Sequence, residues 1–168
     1  MCIRDRVEGG QYRLGDVDYW LDVEEFESLV ERARLLPPHD WQTEDLWRRA
    51  IELYQGDFLI GVEEVWCVPR REELREMYVE ALIGRGRCHE ARGELKRAIG
   101  WYGRALETDT LREDIHRCIM RCYANAGRRA DALAQYYKCR HVLSRELGVE
   151  PSIETRRLYE QIAGGETG

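Results

Sequence analysis

Thiols and imidazoles are the first groups in this sequence whose spacing could do chemistry. His116, Cys118 and Cys122 fall within seven residues, the two cysteines one helical turn apart and so on one face, and Cys88-His89 precedes them by one repeat. Sulfur and nitrogen ligands at such spacing suit zinc. Cys88 and Cys122, however, take the same repeat position, and Cys139 stands where the repeat calls for alanine. Free cysteine packs as a small buried hydrophobe. These side chains are therefore assigned to the core, with no metal site and no cofactor. The carboxylate pairs Glu24-Glu25, Glu63-Glu64 and Glu72-Glu73 invite an acid/base reading. Neighbours on a helix point about 100° apart, whereas acid/base work needs groups converging in a cleft. No nucleophile elbow, phosphate-cradling glycine loop or histidine metal motif is present, so no catalytic residue is assigned and no enzyme is expected.

Arginine gives the stronger signal. Arg87 and Arg121 are one repeat apart and Arg117 lies one turn before Arg121, on positions that line the concave face of a helical-repeat solenoid. Forked guanidinium donors on such a face suit an acidic peptide or a carboxylate terminus. Arg87, Arg117 and Arg121 are the expected partner-binding residues. The competing expectation is intramolecular pairing with Glu80, Glu90 or Asp114.

The elements that position these residues follow from a period. Gly93 and Gly127, Ala98 and Ala132, Tyr102 and Tyr136, and Cys88 and Cys122 all share one offset, 34 residues, the tetratricopeptide repeat length. In each unit a first helix ends at the glycine, a second returns antiparallel, and the alanine marks the close crossing beside the tyrosine. Thr110-Leu-Arg-Glu113 reads as a capping box ahead of the apolar stripe Ile115, Ile119, Met120 and Tyr123. Upstream, Val23 to Ala33 is amphipathic and closes at Pro37-Pro38, and a second helix begins behind Thr43. Ala50/Tyr54 copies the Ala98/Tyr102 spacing, so this pair is a degenerate first repeat with an insertion before the long helix from Arg70 to Ala91. Of the tryptophans, Trp66 in the insertion is expected to wedge the first helix pair onto the long helix, and Trp20, Trp41, Trp47 and Trp101 to be mostly structural. Gly148-Val-Glu-Pro151 breaks the last repeat helix, and Ser152 caps a short terminal helix through Ile162. The expected fold is all-α, a right-handed tetratricopeptide-like helical-repeat solenoid of about seven helices.

Composition narrows the partners. The chain has 168 residues, 43% hydrophobic and 35% charged, with mean hydropathy −0.60 and no apolar run long enough for a membrane span. Six cysteines without a secretory leader point to a reducing compartment, the cytoplasm. Residues 16–80 carry 18 acids and seven bases, whereas residues 81–147 carry 14 bases and eight acids. The chain is electrically polarised, and a net charge of −6 is unsuited to a dedicated DNA surface.

Trp20-Leu-Asp-Val-Glu-Glu-Phe26, Leu53-Tyr-Gln-Gly-Asp-Phe-Leu59, Trp66-Cys-Val-Pro-Arg-Arg-Glu72, Leu111-Arg-Glu-Asp-Ile-His116 and Glu146-Leu-Gly-Val-Glu-Pro-Ser-Ile-Glu-Thr-Arg-Arg-Leu-Tyr-Glu160 together resemble the bacterial transcriptional activator domain, in its order and over nearly the whole chain. Thr110, where that family usually has proline, and Cys67, where it has a small residue, depart from the pattern without threatening the fold. The resemblance implies the tetratricopeptide-like domain of antibiotic-regulatory-protein-type activators, which follows a winged-helix DNA-binding domain. On it, residues 16–162 are the activator domain, 7–15 the remnant of the wing of the missing DNA-binding domain, 1–6 a non-native leader and 163–168 a flexible tail. The implied function is a regulatory protein-interaction or oligomerisation module. Its partners would be a second copy, the transcription machinery or a regulatory domain of the same chain; DNA is reached only through the missing domain, and no membrane is involved. The alternative is a free-standing tetratricopeptide adaptor or chaperone cofactor.

Overall fold

A computed structural model of the chain describes residues 7–8, 11–12, 22–56 and 67–165. Cys2, Trp20 and Trp66, the leader at 1–6, most of the insertion after Tyr54 and the last three residues of the tail lie outside them. Two short strands, β1 (Val7–Glu8) and β2 (Gln11–Tyr12), pair antiparallel with Val7 opposite Tyr12. Seven helices follow among the described residues: α1 (Asp22–Arg34), α2 (Trp41–Leu53), α3 (Cys67–Ala91), α4 (Leu95–Thr108), α5 (Glu113–Asn125), α6 (Arg129–Leu147) and α7 (Ile153–Gly164). Each packs on the next, as in a tetratricopeptide solenoid.

The repeat is written into the helix ends. Gly93 and Gly127 take positive φ, 74° and 71°. At the first, the Glu94 N–H donates to the His89 carbonyl and the Gly93 N–H to Glu90; at the second, Arg128 donates to Tyr123 and Gly127 to Ala124. This is the Schellman arrangement, which satisfies orphan carbonyls and turns the chain back. The return helices then bury equivalent residues, Ala98, Tyr102 and Ala105 on α4 and Ala132, Tyr136 and Cys139 on α6. On α3, Gly84 and Gly86 leave room for rings from both sides: a Cβ at either would come closer than 3.0 Å to three atoms of Trp47 or of Tyr102. One core joins α1 to α5, with Leu29, Leu82 and Ile115 nearly free of solvent. Burying side chains of that size is worth roughly 1.5–3 kcal/mol each.

Local signals fared unevenly. Helix α2 starts before Thr43, because the Asp40 carboxylate accepts the Gln42 N–H at 2.8 Å; the Thr43 hydroxyl instead donates to the Pro37 carbonyl at 2.8 Å. Helix α3 begins at Cys67 and carries Pro69 in its first turn, where the missing N–H costs nothing. The Thr110 capping box does not form: Arg112 holds the N-cap position of α5 and no side chain caps it. Glu113 serves a different helix, described below. Helix α7 runs two residues past Ile162. Trp47 is buried and Trp101 half-buried, but Trp41 is 72% exposed.

Candidate functional site

The helices α1, α3 and α5 are the first helices of their pairs, and residues of α1 and α3 with the N-cap residue of α5 line one cleft. Arg70 of α3 reaches Glu27 at 2.6 Å near the start of α1, and Arg34 at its end donates through Nε and Nη2 to Glu80 at 2.8 and 2.5 Å. Both sets of residues rise together, so α1 and α3 run parallel. Between them lies a cleft of about 630 Å³ whose wall on α3 includes Glu73, Glu76, Met77, Glu80, Ile83 and Arg87. The spacing keeps these on one helical stripe. Glu27, Glu31 and Arg34 face them from α1, and Arg112 closes the α5 end. Arg112 pairs with Glu76 at 3.2 Å and Asp114 at 2.9 Å, and Arg70 with Glu73 at 2.7 Å. Bonding to Asp114, against the opposing effect of burial, raises the Arg112 pKa.

The three arginines meet different fates. Arg87 is exposed on the wall of the cleft and, among the described residues, makes no ion pair. Arg121 is exposed one repeat on and donates to the Cys118 sulfur at 3.2 Å. Arg117 is half-buried and turned to the terminal helix, donating to the Thr155 hydroxyl at 2.9 Å. The carboxylates expected to neutralise them are held elsewhere: Glu80 by Arg34, Asp114 by Arg112, and Glu90 as acceptor of the Tyr102 hydroxyl at 2.6 Å.

Arg117 belongs to a clasp that sequence reasoning missed. The Glu113 carboxylate accepts the Ser152 N–H at 2.9 Å, the Ser152 hydroxyl at 2.8 Å and the Thr155 hydroxyl at 2.6 Å. Burial pushes the Glu113 pKa up, but these bonds and the Arg117 charge outweigh it and hold the group below its usual range. A carboxylate on α5 thus serves the N-terminus of α7, which favours negative charge. No local pattern announces a partner 39 residues away; only Ser152 and Thr155 at the start of α7 hint at it.

A second polar centre lies among α2, α3 and α4. Glu44 meets Arg92, Arg85 at 3.7 Å and the His89 Nε2 at 3.6 Å, while His89 Nδ1 lies 2.6 Å from Glu94. Burial alone would raise the Glu44 pKa; the bond from Arg92 and the surrounding cations lower it. Arg85 and Arg104 stack on the Trp101 ring at 4.2 and 4.6 Å. Burial lowers the Arg85 pKa, and its Nε is buried without a hydrogen-bond partner.

The sulfur positions are interior. Cys67, Cys88, Cys118, Cys122 and Cys139 are all buried and unbridged, and burial pushes the Cys88 thiol up to about 11 and those of Cys122 and Cys139 to about 12. His116 lies under the α6 surface, where Gln135 donates to its Nδ1 at 2.8 Å and its Nε2 donates to the Thr110 carbonyl at 3.2 Å. One neutral tautomer satisfies both bonds, and burial lowers its pKa accordingly. Among the described residues no three His, Cys, Asp or Glu side chains converge on a metal position, and no helix is long and apolar enough to cross a membrane.

The family model described as bacterial transcriptional activator domain matches residues 21–163. The regulatory protein AfsR of Streptomyces coelicolor is 31% identical over 118 residues, covering 70% of this chain and 12% of that protein. AfsR of Streptomyces griseus is 28% identical over 165 residues, covering 92% and 16%. The chain therefore spans less than a fifth of the length of these curated relatives. Mycobacterium tuberculosis EmbR, solved in complex with a low-affinity phosphopeptide, superposes with a TM-score of 0.73 at 22% identity, over 96% of this chain and 43% of that one. The C-terminal TPR-containing domain of a Plasmodium falciparum FK506-binding protein gives 0.60 at 10% identity, over 86% and 90%. At those identities the two structures speak for the fold alone.

Proposed function

This chain belongs to the bacterial transcriptional activator domain family, and on that premise we propose that residues 16–162 are the non-catalytic, protein-contacting module of a cytoplasmic transcription regulator. The observation that carries the reading is a repeat scaffold with an open charged cleft and two exposed arginines, Arg87 and Arg121, that no carboxylate among the described residues takes up. Such a surface exchanges charge-assisted bonds with a protein segment. Arg117 contributes indirectly, by fixing the terminal helix beside that face. DNA recognition falls to a winged-helix domain outside these residues, with 7–15 as the remnant of its wing; the antiparallel pairing of Val7 with Tyr12 goes with that assignment. Residues 1–6 are then a leader foreign to the domain. The partner is a second copy, the transcription machinery or a regulatory domain of the same chain.

Two measurements test this. Tethered to an unrelated DNA-binding domain upstream of a reporter promoter, the chain should raise transcription. Titrated alone against labelled duplexes at about 0.15 M salt, it should show no sequence-dependent anisotropy change. An inert tethered chain, or a free chain that discriminates between duplexes, refutes the reading.

A further inference from the structure

Most of the charge in the concave cleft is already spent. Arg34 is matched by Glu80, Arg112 by Glu76 and Asp114, and Glu27 and Glu73 by Arg70. Two lining groups of opposite sign remain without a hydrogen bond or ion pair among the described residues: Glu31 on α1 and Arg87 on α3, both exposed. Glu31 exerts a longer-range attraction on Arg34, one turn along its own helix. Glu90, the acid one turn beyond Arg87, is engaged by the Tyr102 hydroxyl. Exposed Arg121, the equivalent position one repeat on, stands on the next first helix, α5, and adds to the positive charge at that end. Met77 and Ile83 supply apolar wall between the two poles.

The ladder of pairs sets the distance. Arg34 lies level with Glu80, so Glu31, one turn earlier on the parallel helix, lies about level with Glu76. From there to Arg87 is 11 residues of α3, about 16 Å at 1.5 Å per residue. An extended peptide covers that span in about five residues, and the cleft volume is within the range of ligand sites. A ligand of one sign would gain at one pole and be repelled at the other.

Resting on the reading of this face as a protein contact, we propose that the cleft binds an extended peptide segment of mixed charge. Its cationic side chain meets Glu31, its acidic side chain or terminal carboxylate meets Arg87 and Arg121, and an apolar side chain between them lies on Met77 and Ile83.

The probes are fluorescein-labelled nonapeptides with two lysines and two glutamates about five residues apart and a leucine between, made in both chain orders. Controls are a scramble with the charges adjacent, an all-lysine version and an all-glutamate version. Measured by anisotropy with the whole chain, one ordered peptide should bind at least tenfold more tightly than every control. Arg87→Glu should cost at least tenfold with unchanged circular dichroism and melting, because that side chain makes no hydrogen bond or ion pair among the described residues. Replacing the peptide's glutamates with lysine should restore binding to R87E, and the converse exchange should restore it to Glu31→Lys. Failure of both ordered peptides below 1 mM, or binding indifferent to R87E and E31K, overturns the proposal. So does sedimentation showing that the chain self-associates without peptide and that these variants abolish it, since a second copy then fills the cleft. Each of these results leaves the tethered reporter free to succeed, so a failed peptide and a failed assignment of the module are told apart.

Discussion

Gly86→Ala should destabilise the protein, while the same substitution at Gly100 or Gly103 should stabilise it. In a helix interior, alanine in place of glycine gains about 1 kcal/mol from propensity alone. At Gly100 and Gly103 on α4 a new methyl would meet nothing within 4 Å, so that gain is realised. At Gly86 the methyl would approach three atoms of the Tyr102 ring to less than 3.0 Å. The ring cannot retreat: Tyr102 is 0% exposed and its hydroxyl is bonded to Glu90 at 2.6 Å. Overpacking of this kind costs about 1–3 kcal/mol. A clash with a fixed ring sits in the upper half of that range, about 2–3 kcal/mol, leaving a net loss of about 1–2 kcal/mol. For a chain of this size each kcal/mol moves the melting temperature by about 2–4 °C. Thermal melts at 222 nm should therefore place G86A roughly 2–8 °C below the parent and G100A and G103A about 2–4 °C above it. Tyr102→Leu provides the internal control: if the ring is what the methyl strikes, G86A should cost less in that background, with a coupling of at least about 1 kcal/mol. Should G86A melt as high as G103A, Tyr102 does not rest on the bare α3 backbone and the account of the repeat crossing is wrong.

The Glu113 clasp predicts an acid dependence. Because the folded pKa is lowered, the stability it confers is complete above the ordinary carboxylate value of 4.5 and is lost as pH falls through the lower folded value. Glu113→Gln should remove that part of the pH dependence, and Glu113→Ala should cost about 2 kcal/mol, the worth of a charge-assisted bond in a partly solvated place; identical acid melting profiles for E113Q and the parent contradict the clasp. The cysteines predict the opposite limb. Cys88, Cys122 and Cys139 have thiols pushed up to about 11, 12 and 12 from 9.0, so stability should be intact below pH 9 and decline above it as only the unfolded chain ionises. At pH 8 those three should resist a disulfide reagent until guanidinium unfolds the chain, and rapid labelling of the native protein at any of them shows that the site is open.

The repeat was legible because its signals are local or periodic. Gly93 and Gly127 need only their own turns, and Ala98, Tyr102, Ala132 and Tyr136 mark the same crossing twice. The arginine register was legible for the same reason, but one side of it was not. Arg117 occupies a first-helix position like its neighbours, yet α7 packs where the first helix of a further repeat would stand and draws the guanidinium to Thr155. Thr110 and Glu113 matched a capping box residue for residue, and Glu113 found stronger donors at Ser152 and Thr155. Short-range patterns compete with partners that only the assembled chain supplies. The cleft was hidden in a related way: Arg34 and Glu80 are 46 residues apart, and the stripe from Glu73 to Arg87 reads as a solvated helix face until α1 is set beside it.

Why the concave face has two poles at all follows from helix chemistry. Helices favour acids near the N-terminus and cations near the C-terminus, each worth about 0.3–1 kcal/mol against the backbone dipole. Helix α1 ends with Arg32 and Arg34, α5 begins with Glu113 and Asp114, and the α3 stripe runs from Glu73 to Arg87. In an antiparallel bundle such preferences alternate from helix to helix and cancel. Here α1 and α3 run parallel, as the pairs of Arg70 with Glu27 and of Arg34 with Glu80 show, so choices that stabilise each helix separately add up to a charge gradient along the groove. Much of that gradient is then consumed in pairing adjacent turns and helices, and exposed pairs of this kind contribute only about 0–1 kcal/mol each. Glu31, Arg87 and Arg121 escape the consumption, and their removal should leave the melting curve where it was. Charges that the fold positions and does not need are the ones a partner can read at no expense to stability, and on this surface those are the three to vary first.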